Sequence, residues 1–211
     1  MKTCACVGAS EFNTKHFSAF YAASSFDAVF AIDGGFAHLE KISVMPDMAL
    51  GDFDSLGYVP QVCPVIKHPV IKDKSDMELA FDEARERGYD TFFVYGALAG
   101  RLDHAVANLE LFARFSEKGA KIIGIGDDFA LRFLTGPDTF TLQSNLGQGT
   151  VSVFSASDIS RGVSIDGLAY ELHNAELTNR TTLGLSNELI GKTAQISVEA
   201  GTLMVFYPLN N

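Results

Sequence analysis

Two aspartates stand one residue apart in the run Met48-Ala-Leu-Gly-Asp-Phe-Asp-Ser55. If the chain stays extended past Gly51, side chains two apart point the same way, and Asp52 and Asp54 share one face. Two anions held that close repel and raise each other's proton affinity unless a cation intervenes. A hard divalent ion answers that need, and Mg²⁺ takes one or two carboxylates together with phosphate oxygens. Gly, Asp and Ser are also ordinary turn residues, so a polar turn after a strand accounts for the same composition.

Three further clusters carry chemically useful side chains. Asp33 is followed by Gly34 and Gly35, where the backbone is able to approach a ligand closely; a tight turn into a helix uses the same residues. Asp73-Lys74-Ser75-Asp76-Met77-Glu78 holds two more carboxylates. Asp76 suits the first turn of a helix on dipole grounds alone, whereas Asp73 lies outside that helix. Gly100-Arg101-Leu102-Asp103-His104 hangs a guanidinium off a glycine loop at the expected start of a helix, with Asp103 as its N-cap. Open backbone N–H groups, a positive dipole end and a planar fork of donors suit an anion. A lone histidine such as His104 is more often a structural hydrogen bonder.

The elements that must position these clusters follow from hydrophobic spacing. Short apolar runs at Lys2–Val7, Asp27–Ile32, Met48–Leu50, within Val62–His68, Thr91–Tyr95 and Lys121–Ile125 predict strands. Helices are expected between them. Asn13 caps one that carries Phe17, Phe20 and Tyr21. Ser75 with Glu78 forms a capping box for a second, burying Met77, Ala80, Phe81 and Ala84. A third runs from Asp103 to about Lys118. Alternating strands and helices predict a mostly parallel, Rossmann-like sheet covered by helices, and such sheets bind ligands beyond the carboxyl ends of their strands. All four polar clusters follow a predicted strand, a coincidence that scattered surface polars would not show.

After about Thr135 the texture changes. Short runs at 140–142, 150–154, 162–165, 168–172, 193–198 and 202–207 recur without helical period, and Asp166-Gly167 reads as a two-residue hairpin turn. This predicts a small β-sandwich, giving domains at 1–134 and 135–211. A chain of 211 residues, 47% hydrophobic, is large enough for both cores. The net charge of −10 argues against nucleic acid or anionic lipid as a partner, but a metal ion is able to bridge acidic residues to a polyphosphate. No apolar run spans a bilayer and no cleavable leader is evident. Cys4, Cys6 and Cys63 form no disulfide framework. These features predict a cytoplasmic protein.

In this order and at these intervals, Asp33-Gly34-Gly35, Gly51-Asp52-Phe53-Asp54-Ser55, Lys72-Asp73-Lys74-Ser75-Asp76-Met77-Glu78-Leu79-Ala80 and Gly100-Arg101-Leu102-Asp103-His104 with Asn108 resemble the bacterial thiamine pyrophosphokinases. Gly167-Leu168-Ala169-Tyr170 and Gly184-Leu185-Ser186-Asn187-Glu188 extend the resemblance into the β domain. It implies an α/β ATP-binding domain followed by a β-sandwich, in a homodimer with thiamine bound between the α/β domain of one subunit and the sandwich of the other. It implies transfer of pyrophosphate from ATP to thiamine, giving thiamine diphosphate and AMP, with Mg²⁺. On this basis Asp52, Asp54, Asp73 and Asp76 are the expected metal ligands. Asp54, Asp76, Arg101 and Asp103 are the expected catalytic residues. Asp33, Gly34, Gly35, Gly100, Arg101 and His104 are expected at the nucleotide, and Ser186 and Asn187 at thiamine. Ala99 departs from the family, which has glycine there; its methyl group would restrict a positive φ or crowd a phosphate.

Three other readings use the same residues. A pyrophosphokinase acting on a hydroxymethyl-pterin would share the aspartates and differ in the acceptor pocket. A phosphatase of the haloacid dehalogenase kind is mimicked by Asp52-x-Asp54 and by Gly126-Asp127-Asp128, but makes no use of the Arg101 loop. A metal-dependent nucleotide or thiamine sensor would bind without turnover.

Overall fold

The computed structural model describes residues 1–68 and 73–209. The chain divides into two compact units, Met1–Leu111 with Ile122–Asp127, and Phe112–Lys121 with Asp128–Asn211.

The first unit runs Thr3–Val7 (β1), Thr14–Ala22 (α1), Ala28–Ile32 (β2), Gly35–Lys41 (α2), Met48–Gly51 (β3), Val65–Lys67 (β4), Asp76–Glu86 (α3), Thr91–Tyr95 (β5), the N-terminal part of Leu102–Glu117 (α4), and Lys121–Ile125 (β6). Its strands lie in the order β6-β5-β1-β2-β3-β4. The pairs β5–β1, β1–β2, β2–β3 and β3–β4 are parallel, with Val7 opposite both Tyr95 and Ala31, and Ile32 opposite Leu50. Every residue of β2 and β3 is buried, as continuous apolar runs in a helix-covered parallel sheet must be. The local signals act as expected. Asn13 accepts from the His16 N–H (2.9 Å) and Ser75 Oγ from the Glu78 N–H (3.1 Å), and Met77, Ala80, Phe81 and Ala84 are buried. Cys4, Cys6 and Cys63 are free thiols; Cys4 and Cys6 are buried on β1, where burial pushes the Cys4 thiol up.

The second unit is the sandwich: Phe129–Thr135 (β7), Asp138–Leu142 (β8), Thr150–Ser155 (β9), Ile159–Asp166 (β10), Leu172–Thr178 (β11), Asn187–Glu188 (β12), Ala194–Val198 (β13) and Thr202–Pro208 (β14). One sheet has the order β12-β9-β14-β7 and the other β11-β10-β13-β8. Both are antiparallel, and Leu134, Val151, Val153, Leu203 and Val205 of the first meet Val163, Ile165, Ile196 and Val198 of the second in one core.

Several details differ from expectation. Strand β3 ends at Gly51, and Asp52 to Asp54 leave it in a turn, with Phe53 at φ +61°; one turn, and not an extended strand, brings the two carboxylates together. Helix α4 begins at Leu102, and the Arg101 carbonyl accepts from the Ala105 N–H (3.1 Å), so Asp103 lies in the first turn and is no cap. Strands β7 and β12 have no counterpart among the predicted runs, and the run expected at 168–172 becomes a strand only from Leu172, where β11 begins. Asp166 and Gly167 do not make a two-residue hairpin: Ile165 pairs with Leu172, and Leu168 bridges to Leu189 instead. Among the described residues no helix is long and apolar enough to cross a membrane.

Candidate active site

Because the strands from β1 to β5 are parallel, the loops that follow them gather at one rim of the first unit. A cleft of about 440 Å³ opens there. Asp33 enters it from the end of β2, Asp76 from the first turn of α3, and Arg101, His104 and Asn108 from the start of α4. Its floor is two loops in backbone contact: a Cβ on Gly96 would lie 2.2 Å from the Gly8 carbonyl oxygen, and one on Gly8 2.5 Å from that of Gly96.

Beside it, oxygens of Asp33, Asp52 and Asp54 lie within 4.8 Å of one another. Hard oxygen donors at that spacing fit a divalent cation such as Mg²⁺. Asp33 itself sits at φ +49°, a conformation aspartate tolerates better than most residues. Its N–H donates to the Leu50 carbonyl (2.8 Å), fixing it across the β2–β3 ends. Its carboxylate accepts from the Phe53 N–H (3.0 Å) and from the Ser55 hydroxyl (3.0 Å). Asp52 Oδ1 accepts from the Asp54 N–H (3.2 Å). The Phe53 ring is buried, and its side chain anchors the turn from below.

The Arg101 loop is built differently. Arg101 Nη2 and Nε donate to Asp103 Oδ2 (2.6 Å) and Oδ1 (3.2 Å), and both side chains are about two-thirds exposed, at 72% and 65%. The hydrogen-bonded guanidinium, helped by the His104 N–H, holds the Asp103 carboxyl down at about 2, against the cost of desolvation. The left-handed position in the loop is Gly100, at φ +78°, and Ala99 is not among the positive-φ residues. The family glycine that Ala99 replaces is therefore not needed for backbone conformation here. Asn108 Nδ2 donates to the Ala97 carbonyl (2.9 Å), tying the loop to the body of α4.

In the sandwich, Ser186 is exposed at φ +56°, and its N–H donates to Ser152 Oγ (3.1 Å). Asn187 is buried. Its Oδ1 accepts from the N–H groups of Tyr170 and Glu188 (both 2.9 Å), and its Nδ2 donates to the Tyr170 carbonyl (2.6 Å). Asn187 thus clamps the loop that displays Tyr170, which is 69% exposed.

Residues 21–124 match the family model described as the thiamin pyrophosphokinase catalytic domain, and residues 139–203 match that described as the thiamin pyrophosphokinase vitamin B1 binding domain. The chain belongs to the thiamine pyrophosphokinase family. It is 27% identical over 180 residues to the thiamine pyrophosphokinase of Bacillus subtilis (strain 168), a match that covers 82% of this chain and 84% of that protein. The crystal structure of thiamin pyrophosphokinase from Geobacillus thermodenitrificans is similar at a TM-score of 0.81 and 27% identity, over 99% of this chain and 98% of that one. The B. subtilis crystal structure, at 23% identity, shares the fold over the whole of both chains with a TM-score of 0.83.

The two matched stretches of this thiamine pyrophosphokinase family member contain every residue expected from sequence at the metal, the nucleotide or thiamine. Asp33, Asp76, Arg101 and His104 line one cleft, and Asp33 also joins Asp52 and Asp54. Asp73 is exposed and is not among the lining residues, and Lys72 of the same motif lies outside the described residues. Gly35 is committed to packing: a Cβ there would meet the Val7 carbonyl oxygen at 1.9 Å. The aspartates after β6 do not line the cleft; there the Gly126 and Asp127 carbonyls accept from Asn13 Nδ2 (3.1 and 2.7 Å). Sequence reasoning missed Gly8, Ser10 and Gly96 of the lining. The one available signal was a glycine directly after each of β1 and β5, the two central strands whose loops must pass close together.

Proposed function

We infer that this chain is a thiamine diphosphokinase, transferring the pyrophosphoryl group of ATP to the hydroxyl of thiamine and releasing AMP. One observation carries the reading: a catalytic-domain match and a vitamin B1 binding match occur in order on one chain, and the first contains a carboxylate-rimmed cleft with an exposed guanidinium. In the reaction the thiamine oxygen bonds to the β-phosphorus, and the bond from that phosphorus to the α,β-bridging oxygen breaks. AMP departs with that oxygen, and the hydroxyl proton passes to a carboxylate of the rim. Such transfers depend on in-line positioning and charge neutralisation.

Asp52 and Asp54, with Asp73 and Asp76 completing the set, would hold Mg²⁺, which supplies charge neutralisation at the phosphates. Arg101 exchanges its Asp103 partner for a phosphate oxygen, and Asp103 keeps the fork oriented until then. His104, Gly34, Gly35 and Gly100 sit around the nucleotide, with Asp33 beside them. The residues 1–134 form the ATP- and metal-binding part, and 135–211 the thiamine-binding part. Ser186 and Asn187 serve thiamine held by the partner in a cytoplasmic homodimer, Ser186 through its exposed hydroxyl.

The test is incubation with Mg²⁺, ATP and thiamine, followed by product identification. Thiamine diphosphate and AMP in equal amounts are expected. Inorganic phosphate without an acceptor product would replace this reading with a phosphatase, and tight thiamine binding without ATP turnover would replace it with a sensor.

A further inference from the structure

We propose that Asp33 is a positioning residue that builds the Asp52–Asp54 turn and is not itself a ligand of the cation. The proposal rests on the reading that this turn holds a divalent metal. It moves Asp33 out of the group expected to touch the nucleotide.

The turn between Gly51 and Leu56 does not hold its shape by local bonds alone. Phe53 lies at φ +61°, a left-handed conformation unfavourable for a bulky side chain. Asp33 approaches from the neighbouring strand end and grips the turn on both sides of Asp54: Oδ1 takes the Phe53 N–H before it, and Oδ2 takes the Ser55 hydroxyl after it, each at 3.0 Å. Asp33 is in turn fixed by its own N–H on the Leu50 carbonyl. Gly51, the last residue of β3, packs closely on Asp33: a Cβ there would lie 3.1 Å from Asp33 Cα, a tight contact, and its φ of +148° is one that side chains rarely adopt. The carboxylate of Asp33 is thus engaged through both oxygens, while Asp54 between its two grips is exposed. Its proximity to the other two carboxylates is what a splint of such a short turn requires. Supporting groups of this kind usually matter about 10- to 100-fold in metal affinity.

Asparagine separates splint from ligand. In Asp33→Asn, Oδ1 still accepts from the Phe53 N–H, and Nδ2 donates to the Ser55 oxygen, a hydroxyl able to take either role. Asparagine also tolerates the left-handed backbone. As a ligand for a hard cation, however, the neutral amide is poor.

The experiment follows two properties of the full chain besides turnover: amide hydrogen exchange of the peptide covering 51–56 without metal, and Mn²⁺ affinity by electron paramagnetic resonance titration. Asp33→Ala should speed exchange in that peptide and weaken Mn²⁺ binding roughly 10- to 100-fold. Asp33→Asn should restore both close to wild type. Ser55→Ala removes one grip at an exposed hydroxyl without risk to the fold, and should speed the same exchange to a smaller degree. If Asp33→Asn keeps the exchange protection but loses Mn²⁺ as Asp33→Ala does, Asp33 is a ligand and the proposal fails. Unaltered exchange in Ser55→Ala, or in a folded Asp33→Ala, defeats it equally. Failure of the pyrophosphokinase reading would appear elsewhere, as wild-type protein that makes no thiamine diphosphate while these two measurements are unaffected.

Discussion

The carboxylate turn after β3 and the arginine loop after β5 stand at the same rim but are held in opposite ways. The turn is gripped from another strand end by bonds spanning 20 and 22 residues of sequence, and its Phe53 is buried. The arginine fork is paired with a carboxylate two residues away, and both partners stand mostly in solvent. An exposed ion pair of this kind contributes little to stability, so exchanging Asp103 for a phosphate costs little. A metal site benefits from preorganised ligands, whereas a group that must close on an arriving anion benefits from a partner it is able to leave. On the proposed function, the difference suits the turn to standing geometry and the loop to recognition.

The sharpest way to break that contrast is at Asp54. Asp54→Asn leaves a near-isosteric side chain in a turn whose hydrogen bonds run through Asp33 and Asp52, so the fold should be intact while turnover falls roughly a hundredfold or more. Wild-type kcat at saturating Mg²⁺ would remove Asp54 from the metal site. Arg101→Lys comes next. Lysine keeps the charge and loses the fork; a lost charge-assisted hydrogen bond of about 1.5–3 kcal/mol corresponds to roughly 10- to 100-fold in rate. Because the native fork is so exposed, melting temperature should not move. A stability loss with unchanged kinetics would make the Arg101–Asp103 pair structural and erase the contrast.

What sequence conveyed about these two regions follows the same division. The Ser75 cap and the Asn13 cap each join residues three apart in sequence, and both side chains accept the expected N–H. The gathering of polar clusters at one rim needed only the alternation of strands and helices. The grip of Asp33 on Phe53 and Ser55 depends on how β2 and β3 sit in register, which spacing within either strand does not encode. Strand β7 was hidden for another reason. Arg132 occupies a position where period-two alternation calls for an apolar side chain, and it is largely buried there, its guanidinium 5.7 Å from the centre of the Phe140 ring. The hairpin expected at Asp166-Gly167 failed because Leu168 pairs with Leu189, far along the chain, in preference to its neighbour.

The second unit repeats the contrast on adjacent residues. Ser186 is exposed, whereas Asn187 spends its amide on the Tyr170 and Glu188 backbone. Ser186→Ala should therefore raise the KM for thiamine more than that for ATP and leave stability alone. Asn187→Ala leaves the Tyr170 N–H and carbonyl and the Glu188 N–H without their amide partner and should destabilise the protein by about 1–3 kcal/mol, read from the denaturation midpoint. The opposite assignment of effects would mean that the clamp is Ser186 and the contact Asn187.

The smallest effect expected belongs to a held group far from any ligand role. The His16 ring lies 4.3 Å from that of Phe20, and Nδ1 is 3.0 Å from the hydroxyl of Tyr95, whose ring is wholly buried. Burial lowers the pKa of His16 in the folded protein, while the unfolded chain takes up its proton near the ordinary value of about 6.5. Between the lowered folded value and the unfolded one, the unfolded state carries the extra proton. Stability contributed by neutral His16 is thus present above that window and is lost as pH falls through it. His16→Gln keeps a hydrogen-bonding group beside Tyr95 but cannot titrate. Its melting temperature should decline less than that of the wild type between pH 7.5 and pH 5.5. Equal declines in the two proteins would mean that His16 is as accessible to protons as Arg101 is to solvent, and that the distinction between held and released groups stops at the rim.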